Sequence, residues 1–292
     1  MDISLALGGG GSRGNAHIGV IRRLEREGYR VRAVAGTSAG GIVAAAYAAG
    51  YTPDEMEAIF AKVDQSKLFG RGSHEGPALL GLSGAAKALE EFLGHRTFAD
   101  LKIPCAMMAV DVNAGCEVVI HAGRLVDAVL ATIAIPAIFP PQPRGDALLV
   151  DGGVLDPVPV RAARALAPTL PVVAVVLSPL VKPTGNLLHA HLPVKLPAPI
   201  VSRLTRTRLA QAFNIFLQST EASSRMLTEL RLEVDNPEVV IRPDVGGIGM
   251  LDKVDVHEVV RLGEEAAESA LSDLRRAVAW PRRVRRRMFP RK

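Results

Sequence analysis

The chain has few aromatic residues, few cysteines and no long apolar run. Aromatic residues make up only 4% of its 292 residues while 48% are hydrophobic, so a core must be built mainly from aliphatic side chains. Two cysteines, Cys105 and Cys116, do not make a disulfide framework. No stretch reaches the roughly 18 uninterrupted apolar residues of a membrane-spanning helix, and the N-terminus lacks the basic region of a signal peptide. These absences predict a cytoplasmic protein.

Acidic residues are missing from two stretches, which leaves positive charge there. No Asp or Glu occurs between Pro157 and Thr220, and the last eleven residues, 282–292, hold six Arg and one Lys. Such asymmetry indicates contact with an anionic surface, either phospholipid or nucleic acid. The tail is too short and irregular for a DNA-reading motif, so no nucleic-acid partner is predicted. It is either a solvated tail or a contact with anionic lipid at the inner face of the membrane.

The order of strands and helices predicts a parallel sheet. The runs DISLAL and YRVRAVAG each end at glycine and lead into helical segments, residues 15–28 and 38–50. Two strand–helix units in fifty residues favour a parallel sheet with helices on its faces. Further segments predict a hairpin around Asn113–Gly115, strands at ALLVDGG and LPVVAVVLS, and helices at residues 52–63, 124–135, 208–230 and 257–280.

Four consecutive glycines, Gly8 to Gly11, follow the first strand. Glycine there lets backbone N–H groups close on an anion, either a nucleotide phosphate or the oxyanion of an acyl-transfer intermediate. The nucleotide interpretation rests on Gly9-x-Gly11-x-x-Gly14 and expects an acid at the end of the second strand to hold a ribose. That region reads YRVRAVAGTSAGG, with two arginines and no acid. The pattern therefore argues against a dinucleotide site, unless the arginines meet a 2′-phosphate.

Two G-x-S-x-G patterns present a serine, at residues 10–14 around Ser12 and at residues 36–40 around Ser38. Ser38 comes directly after an apolar strand and before a helix of small residues, the strand–turn–helix setting that exposes a nucleophile. Ser12 lies five residues beyond its strand in a flexible glycine run, where nothing tight presents its hydroxyl. Ser38 is therefore the predicted nucleophile, and Ser12 is predicted to be a loop residue.

A serine nucleophile needs a base. None of the histidines has the setting of a catalytic turn after a strand. The sequence nevertheless leaves a serine–histidine–aspartate triad as an alternative. His17 is predicted to pack on the apolar face of its helix. The histidines are His17, His74, His95, His121, His189, His191 and His257. Asp151 ends the strand ALLVD directly before Gly152 and Gly153, where it could form an Asx-turn or accept the proton of Ser38. Together with Ser38 and the glycine loop, the proton-acceptor interpretation is favoured.

Four motifs follow one another along the chain: the glycine loop, Gly36-Thr37-Ser38-Ala39-Gly40, IPAIFPP and Asp151-Gly152-Gly153. In this order and spacing they resemble the patatin-like phospholipases over residues 3–175. The resemblance implies a three-layer α/β/α fold with a mainly parallel sheet and a Ser38–Asp151 dyad. It also implies that the loop Gly9-Gly10-Gly11-Ser12-Arg13-Gly14 supplies an oxyanion hole. One departure is Thr132, where a serine is expected.

The activity implied by the resemblance is hydrolysis of a lipid or another acyl ester, without a metal or an organic cofactor. The alternative is a catalytically weak regulatory protein that binds nucleotide or membrane through the glycine loop. We divide the chain into a catalytic core over residues 1–175, a remainder of the same domain over 176–280 with a proline-rich excursion, and the basic tail over 281–292.

Overall fold

A computed structural model describes residues 1–70, 76–178 and 208–279, together with Met288. The helices are α1 (Ala16–Arg26), α2 (Ala39–Ala48), α3 (Pro53–Lys62), α4 (Ser83–Leu93), α5 (Leu125–Thr132), α6 (Val160–Leu166), α7 (Arg208–Asp235), α8 (Val256–Ser269) and α9 (Leu271–Val278). The strands are β1 (Asp2–Leu7), β2 (Arg30–Thr37), β3 (Cys105–Asp111), β4 (Cys116–Ile120), β5 (Gln142–Arg144), β6 (Ala147–Asp151), β7 (Val172–Val175) and β8 (Val239–Ile241).

The strands form one mainly parallel sheet, as the sequence predicts. Their order is β5-β6-β3-β2-β1-β7-β8, and β4 also pairs with β3. Pairings among β3, β2, β1, β7 and β8 are parallel, whereas β4, β5 and β6 join by antiparallel pairings at one side. Parallel strands need crossover connections, which helices supply here from the first strand onward.

Helices cover both faces of the sheet, so the predicted three-layer α/β/α architecture is confirmed. Alternate side chains of a strand point to opposite faces. Ile3 and Leu5 of β1 belong to a large aliphatic cluster that also holds residues of α1, α2 and α8. Ala6, between Leu5 and Leu7, belongs to a second cluster with residues of α6, against which Leu232 of α7 packs.

Most predicted elements are confirmed, with one predicted helix divided and two helices and two strands not predicted. The strand–helix units, the Asn113–Gly115 hairpin and the long helix after residue 207 are present. The predicted helix 257–280 is wrong as one element, because the chain divides it at Ala270 between α8 and α9. Helices α4 and α6 and strands β5 and β8 were not predicted. Helix α4 adjoins a glycine-rich stretch, α6 has only seven residues, and β5 and β8 have three residues each, too few to show a period.

Two predicted features fall largely outside the described residues. These are the proline-rich excursion, apart from Ser178, and the basic tail, apart from Met288. Within the described ranges, no helix combines the length and apolar character needed to cross a bilayer.

Helices α1 and α8 approach each other backbone to backbone. A Cβ placed on Gly19 of α1 would lie 1.8 Å from the carbonyl oxygen of Val260, and one placed on Gly263 of α8 would lie 2.0 Å from that of Ala16. Such distances are far inside van der Waals contact, so only glycine permits this spacing. The contact fixes the C-terminal helices against the first strand–helix unit.

We predict that Gly19→Ala and Gly263→Ala each destabilise the protein by about 1–3 kcal/mol through overpacking. The direction of the change in stability is informative, because helix propensity alone favours Ala over Gly by about 1 kcal/mol. Chemical denaturation measures the change. Gly247→Ala is the matched control, since a Cβ there meets nothing within 4 Å, and it should change stability by less than about 0.5 kcal/mol. Equal effects at all three positions would contradict the close-packing account.

Candidate active site

Ser38 occupies a strained turn between β2 and α2. Its backbone has φ 55° and ψ −125°, a left-handed conformation that is costly for any residue with a side chain. The flanking glycines make the turn possible, because a Cβ on Gly36 would lie 2.3 Å from the carbonyl oxygen of Gly40, and one on Gly40 would lie 2.1 Å from that of Leu7. The strand–turn–helix setting predicted for Ser38 is therefore present.

Two buried threonines hold the turn in place. The Ser38 N–H donates to the Thr132 hydroxyl at 2.9 Å, and that hydroxyl donates to the carbonyl oxygen of Met108 at 2.5 Å. The Thr37 hydroxyl donates to the carbonyl oxygen of Asp156 at 2.9 Å. Sequence reasoning missed the role of Thr132, although the expectation of serine at this position was a signal, since serine carries the same hydroxyl.

Strand β3 brings Asp151 to Ser38. Thr37, the last residue of β2, pairs with Met108 of β3, and Asp151, the last residue of β6, pairs with the next residue, Ala109. The strands β2 and β6 run in opposite directions along this edge of β3, so their ends meet. Ser38, which follows β2, and Asp151, which ends β6, are thereby placed side by side.

Asp151 is buried, and two neighbouring groups stabilise its carboxylate. The Gly153 N–H donates to its Oδ1 at 2.7 Å, and the Ser38 hydroxyl is close enough to lower the pKa of the carboxyl. Burial outweighs both influences and raises the pKa of Asp151 to about 6. The Asx-turn alternative is thus realised, and the same carboxylate lies beside Ser38.

A second buried carboxyl, Asp156, lies behind the turn. Burial first, and repulsion from Asp235 second, raise its pKa to about 7. One of its side-chain oxygens, Oδ1, has no hydrogen-bond partner within the described residues. Its contact with the site is the carbonyl oxygen that accepts from Thr37.

Some backbone N–H groups of the glycine loop are bound to carbonyl oxygens, and others are free of them. The N–H of Gly9 donates to Pro157, that of Ser12 to Met250 and that of Arg13 to Gly10. Three of the six positions predicted for the oxyanion hole therefore have their backbone donors bound to carbonyl oxygens. No backbone carbonyl accepts from the N–H groups of Gly10 and Gly11 among the described residues, so these two are candidate anion-binding donors.

The loop is not the flexible run that the sequence suggests. Residues 11–15 form a turn of 3-10 helix. The Ser12 hydroxyl donates to the carbonyl oxygen of Asp252 at 2.6 Å, and Arg13 Nε donates to that of Ile248 at 2.5 Å. Arg13 also pairs with Glu221 of α7 at 3.4 Å. The flexibility predicted for the run around Ser12 is therefore wrong, while its hydroxyl is bound to Asp252 and, as predicted, not presented.

Three glycines of the predicted site, Gly11, Gly14 and Gly152, allow neighbouring segments to approach closely. A Cβ on Gly14 would lie 2.5 Å from the Cβ of Ala39, the first residue of α2, and one on Gly152 would lie 2.6 Å from the Cβ of Met108. Gly11 has φ 58°, and a Cβ there would lie 2.0 Å from the carbonyl oxygen of Met250. These glycines let the glycine loop, the Ser38 turn and the Asp151 turn pack against one another.

No described histidine hydrogen-bonds to Ser38 or Asp151. His17 is buried as predicted; its Nε2 lies 2.7 Å from the carbonyl oxygen of Gly8, and burial lowers its pKa to about 4. His257 contacts Glu57 at 2.5 Å, and His95 and His121 are exposed. His74, His189 and His191 lie outside the described residues.

Ser38 opens into an apolar cavity of about 860 Å³. Its walls come from α2, α3, α4 and the segments 133–139 and 250–256, with Ile42, Phe60 and Phe92 among the apolar side chains. Gly11 and Gly14 line the same cavity. Ligand pockets of about 300–1,000 Å³ are typical of small-molecule sites, so this cavity can hold a sizeable apolar group against Ser38.

Together these features describe an α/β protein with a buried serine–aspartate pair beside an apolar cavity. A family model described as patatin-like phospholipase matches residues 5–164, more than half of the sequence. The chain therefore belongs to the patatin-like phospholipase family. The matched region contains the glycine loop, Ser38, Thr132 and Asp151.

The relatives are found in bacteria and animals. An uncharacterized NTE family protein of Mycobacterium tuberculosis is 38% identical over 161 residues, covering 54% of this chain and 44% of that protein. Another from that species is 29% identical over 277 residues, covering 92% of this chain and 46% of that protein. Mouse patatin-like phospholipase domain-containing protein 6 is 31% identical over 171 residues, 56% of this chain and 13% of that protein. The chain thus spans less than half the length of these relatives.

A solved structure supports the fold. The crystal structure of VipD from Legionella pneumophila matches with a TM-score of 0.57 and 13% sequence identity, covering 93% of this chain and 66% of that one. At this identity the likeness concerns the fold alone.

We predict that Thr132→Val destabilises the protein by about 1–3 kcal/mol, because it leaves the buried Ser38 N–H and Met108 carbonyl without a partner. Thermal or chemical denaturation measures this loss. Thr132→Ser is the matched control, since it keeps the hydroxyl and should restore most of the stability. If valine is tolerated as well as serine, the hydroxyl does not hold the turn.

Proposed function

We propose that the chain is a serine hydrolase of lipid or other acyl esters that acts through Ser38 and Asp151. The observation that carries the proposal is the placement of Ser38, in a strained turn at the wall of an apolar cavity, beside the buried carboxylate of Asp151. Family membership supports an ester-hydrolysing activity. The cavity suits an acyl chain, with the ester carbonyl placed at Ser38.

In the first half of the reaction, Ser38 Oγ attacks the ester carbonyl carbon while Asp151 takes the hydroxyl proton. The carbonyl oxygen becomes an oxyanion, and the free N–H groups of Gly10 and Gly11 are the donors proposed to stabilise it. Ser38 also sits at the N-terminus of α2, where the helix dipole favours negative charge. Asp151 then gives the proton to the leaving alcohol oxygen, and the acyl group stays on Ser38.

In the second half, Asp151 takes a proton from a water molecule as that water attacks the acyl carbon. The oxyanion forms again against the same N–H groups. When it collapses, the bond to Ser38 Oγ breaks and Asp151 returns the proton to the serine. The products are a carboxylic acid, an alcohol and the starting enzyme.

The rival nucleotide interpretation has less support. A phosphate cradle uses several converging backbone N–H groups. Here the N–H groups of Gly9, Ser12 and Arg13 are bound to carbonyl oxygens, and the Arg13 side chain is engaged by Ile248 and Glu221. Two free donors suit a single oxyanion better than a pyrophosphate.

Fluorophosphonate labelling tests the nucleophile. We predict that the wild-type protein is labelled, that Ser38→Ala abolishes labelling, and that Ser12→Ala leaves it unchanged because that hydroxyl is bound to Asp252. Intact-protein mass spectrometry measures the adduct. Ser12→Ala serves as the matched control for loss of a serine in a G-x-S-x-G pattern. Labelling that survives Ser38→Ala would overturn the proposal.

The pH dependence tests the base. Because Asp151 must be deprotonated to accept a proton and its pKa is about 6, kcat/KM for a soluble short-chain ester should rise about tenfold per pH unit below 6 and level off above it. Asp151→Asn should reduce kcat at least about 100-fold. It should remain folded, because the amide oxygen can still accept from Gly153 and no buried charge remains. A folded, fully active Asn variant would show that Asp151 is only a turn residue.

A further inference from the structure

Lys253 carries a positive charge in the wall of the cavity at the candidate active site. Among the described residues that line this cavity, Lys253 is the one cation and Asp252 is the one acid. Lys253 is exposed, whereas Val254 is partly buried and Val256 is buried. The charge therefore lies at the opening of the cavity and not in its apolar interior.

Three neutral polar side chains of the cavity wall bind to the protein's own backbone. The Ser12 hydroxyl donates to the carbonyl oxygen of Asp252 at 2.6 Å, and the Asn15 amide donates to that of Ser12 at 3.1 Å. The Gln65 side chain exchanges two hydrogen bonds with the backbone of Val254, at 3.3 Å and 3.4 Å. These polar groups hold the wall together, so they are less suited than a free charge to bind a ligand.

The two acids next to Lys253 in the sequence are bound by backbone N–H groups. The Gly249 N–H donates to Oδ2 of Asp252 at 2.7 Å, and the His257 N–H donates to Oδ1 of Asp255 at 2.9 Å. These donors, and the N-terminus of α8 that Asp255 caps, offset the negative charge of the two acids. Within the described part of the chain, the Lys253 ammonium group has no hydrogen bond and no carboxylate partner. Its charge is therefore available to a bound anion.

Lys253 lies next to the loop that holds the proposed oxyanion donors. The preceding residue, Asp252, accepts a hydrogen bond from Ser12 of the glycine loop through its carbonyl oxygen. The following residue, Val254, is bound to Gln65, which follows α3. The backbone of Lys253 is thus fixed between the glycine loop and α3. Because the ester carbonyl has to reach the same loop, the charge lies on the side of the cavity where the reaction is proposed to occur.

A lipid ester bound in this cavity presents two parts of different chemistry. Its acyl chain is apolar and matches the apolar wall, whereas its alcohol part stays near the opening. A neutral alcohol offers an ammonium group only a neutral hydrogen bond. A phosphate on the same alcohol offers a charge-assisted one, which is roughly twice as strong. Lysine binds phosphate as a point charge, so one correctly placed ammonium group is enough.

We propose that Lys253 is a specificity-determining residue, which binds a phosphate on the alcohol part of the lipid ester. This inference rests on the proposed function, and it adds that an ester with a phosphate-bearing alcohol is preferred over a neutral glyceride. Specificity is a difference between two affinities, and neither affinity requires Ser38 or Asp151 to react. Binding and hydrolysis can therefore be measured separately.

The binding of two ether lipids to the full chain tests the role of Lys253. The probes are a decyl ether of glycerol and the phosphate monoester of the same ether, which differ only in the phosphate and have no ester to hydrolyse. Isothermal titration calorimetry below the critical micelle concentrations measures both Kd values. We expect wild-type protein to bind the phosphate lipid more tightly, and Lys253→Gln to lower this preference at least about threefold. Lys253→Arg should retain the preference, because it keeps the charge.

Lys87→Gln is the matched control, since it removes the same charge from a neighbouring surface. Lys87 is exposed on α4, which forms part of the cavity wall, but it does not line the cavity. This variant should keep the wild-type preference for the phosphate lipid. Equal loss of the preference in both glutamine variants would overturn the proposal, as would a wild type that binds the two ethers equally well.

Hydrolysis of the corresponding esters distinguishes this inference from the proposed function. The substrates are decanoyl glycerol and its phosphate monoester. We expect kcat/KM of the wild type to favour the phosphate ester, and this preference to fall in Lys253→Gln as the preference in Kd does. Wild-type protein that hydrolyses both esters equally well would overturn the role of Lys253 alone. Wild-type protein that binds the phosphate ether through Lys253 but hydrolyses neither ester would refute the proposed function alone.

Discussion

The backbone conformation of Ser38 is the constraint around which the candidate site is arranged. A non-glycine residue in a left-handed conformation costs about 1–3 kcal/mol, and it persists only where its surroundings leave no alternative. Here Thr132 binds the Ser38 N–H, and the missing side chains at Gly36 and Gly40 let two carbonyl oxygens approach. The backbone thereby places the Ser38 side chain at the wall of the cavity.

Burial of Asp151 places stability and chemistry in opposition. Its pKa in the folded protein, about 6, exceeds the value of about 3.9 expected in an unfolded chain. The folded state therefore binds the proton more tightly, and its stability falls as pH rises from about 4 through 6. The protein carries this cost at neutral pH, where the carboxylate is the form that can accept a proton from Ser38. The Gly153 N–H and the nearby Ser38 hydroxyl favour the charged form, but burial outweighs them.

Local patterns predicted the parts of the site but not the way they meet. The turn at Ser38 was predictable because the strand, the glycines and the helix of small residues are neighbours in the sequence. The position of Asp151 at the end of a strand was also predictable. The direction of β6 was not, since antiparallel pairing with β3 is a tertiary choice that a five-residue apolar run does not encode. The role of Thr132 depends on a contact across 94 residues, which no local period reveals.

The glycine loop shows why the first half of the chain does not define the site by itself. A run of glycines loses much conformational entropy on folding and has no side chains with which to fix its own shape. Its conformation is set instead by carbonyl oxygens of Ile248, Met250 and Asp252, and by Glu221 of α7. All four lie beyond residue 164, where the family match ends. The residues with the candidate chemistry therefore belong to the matched region, while the geometry of the proposed oxyanion donors depends on the C-terminal third of the chain.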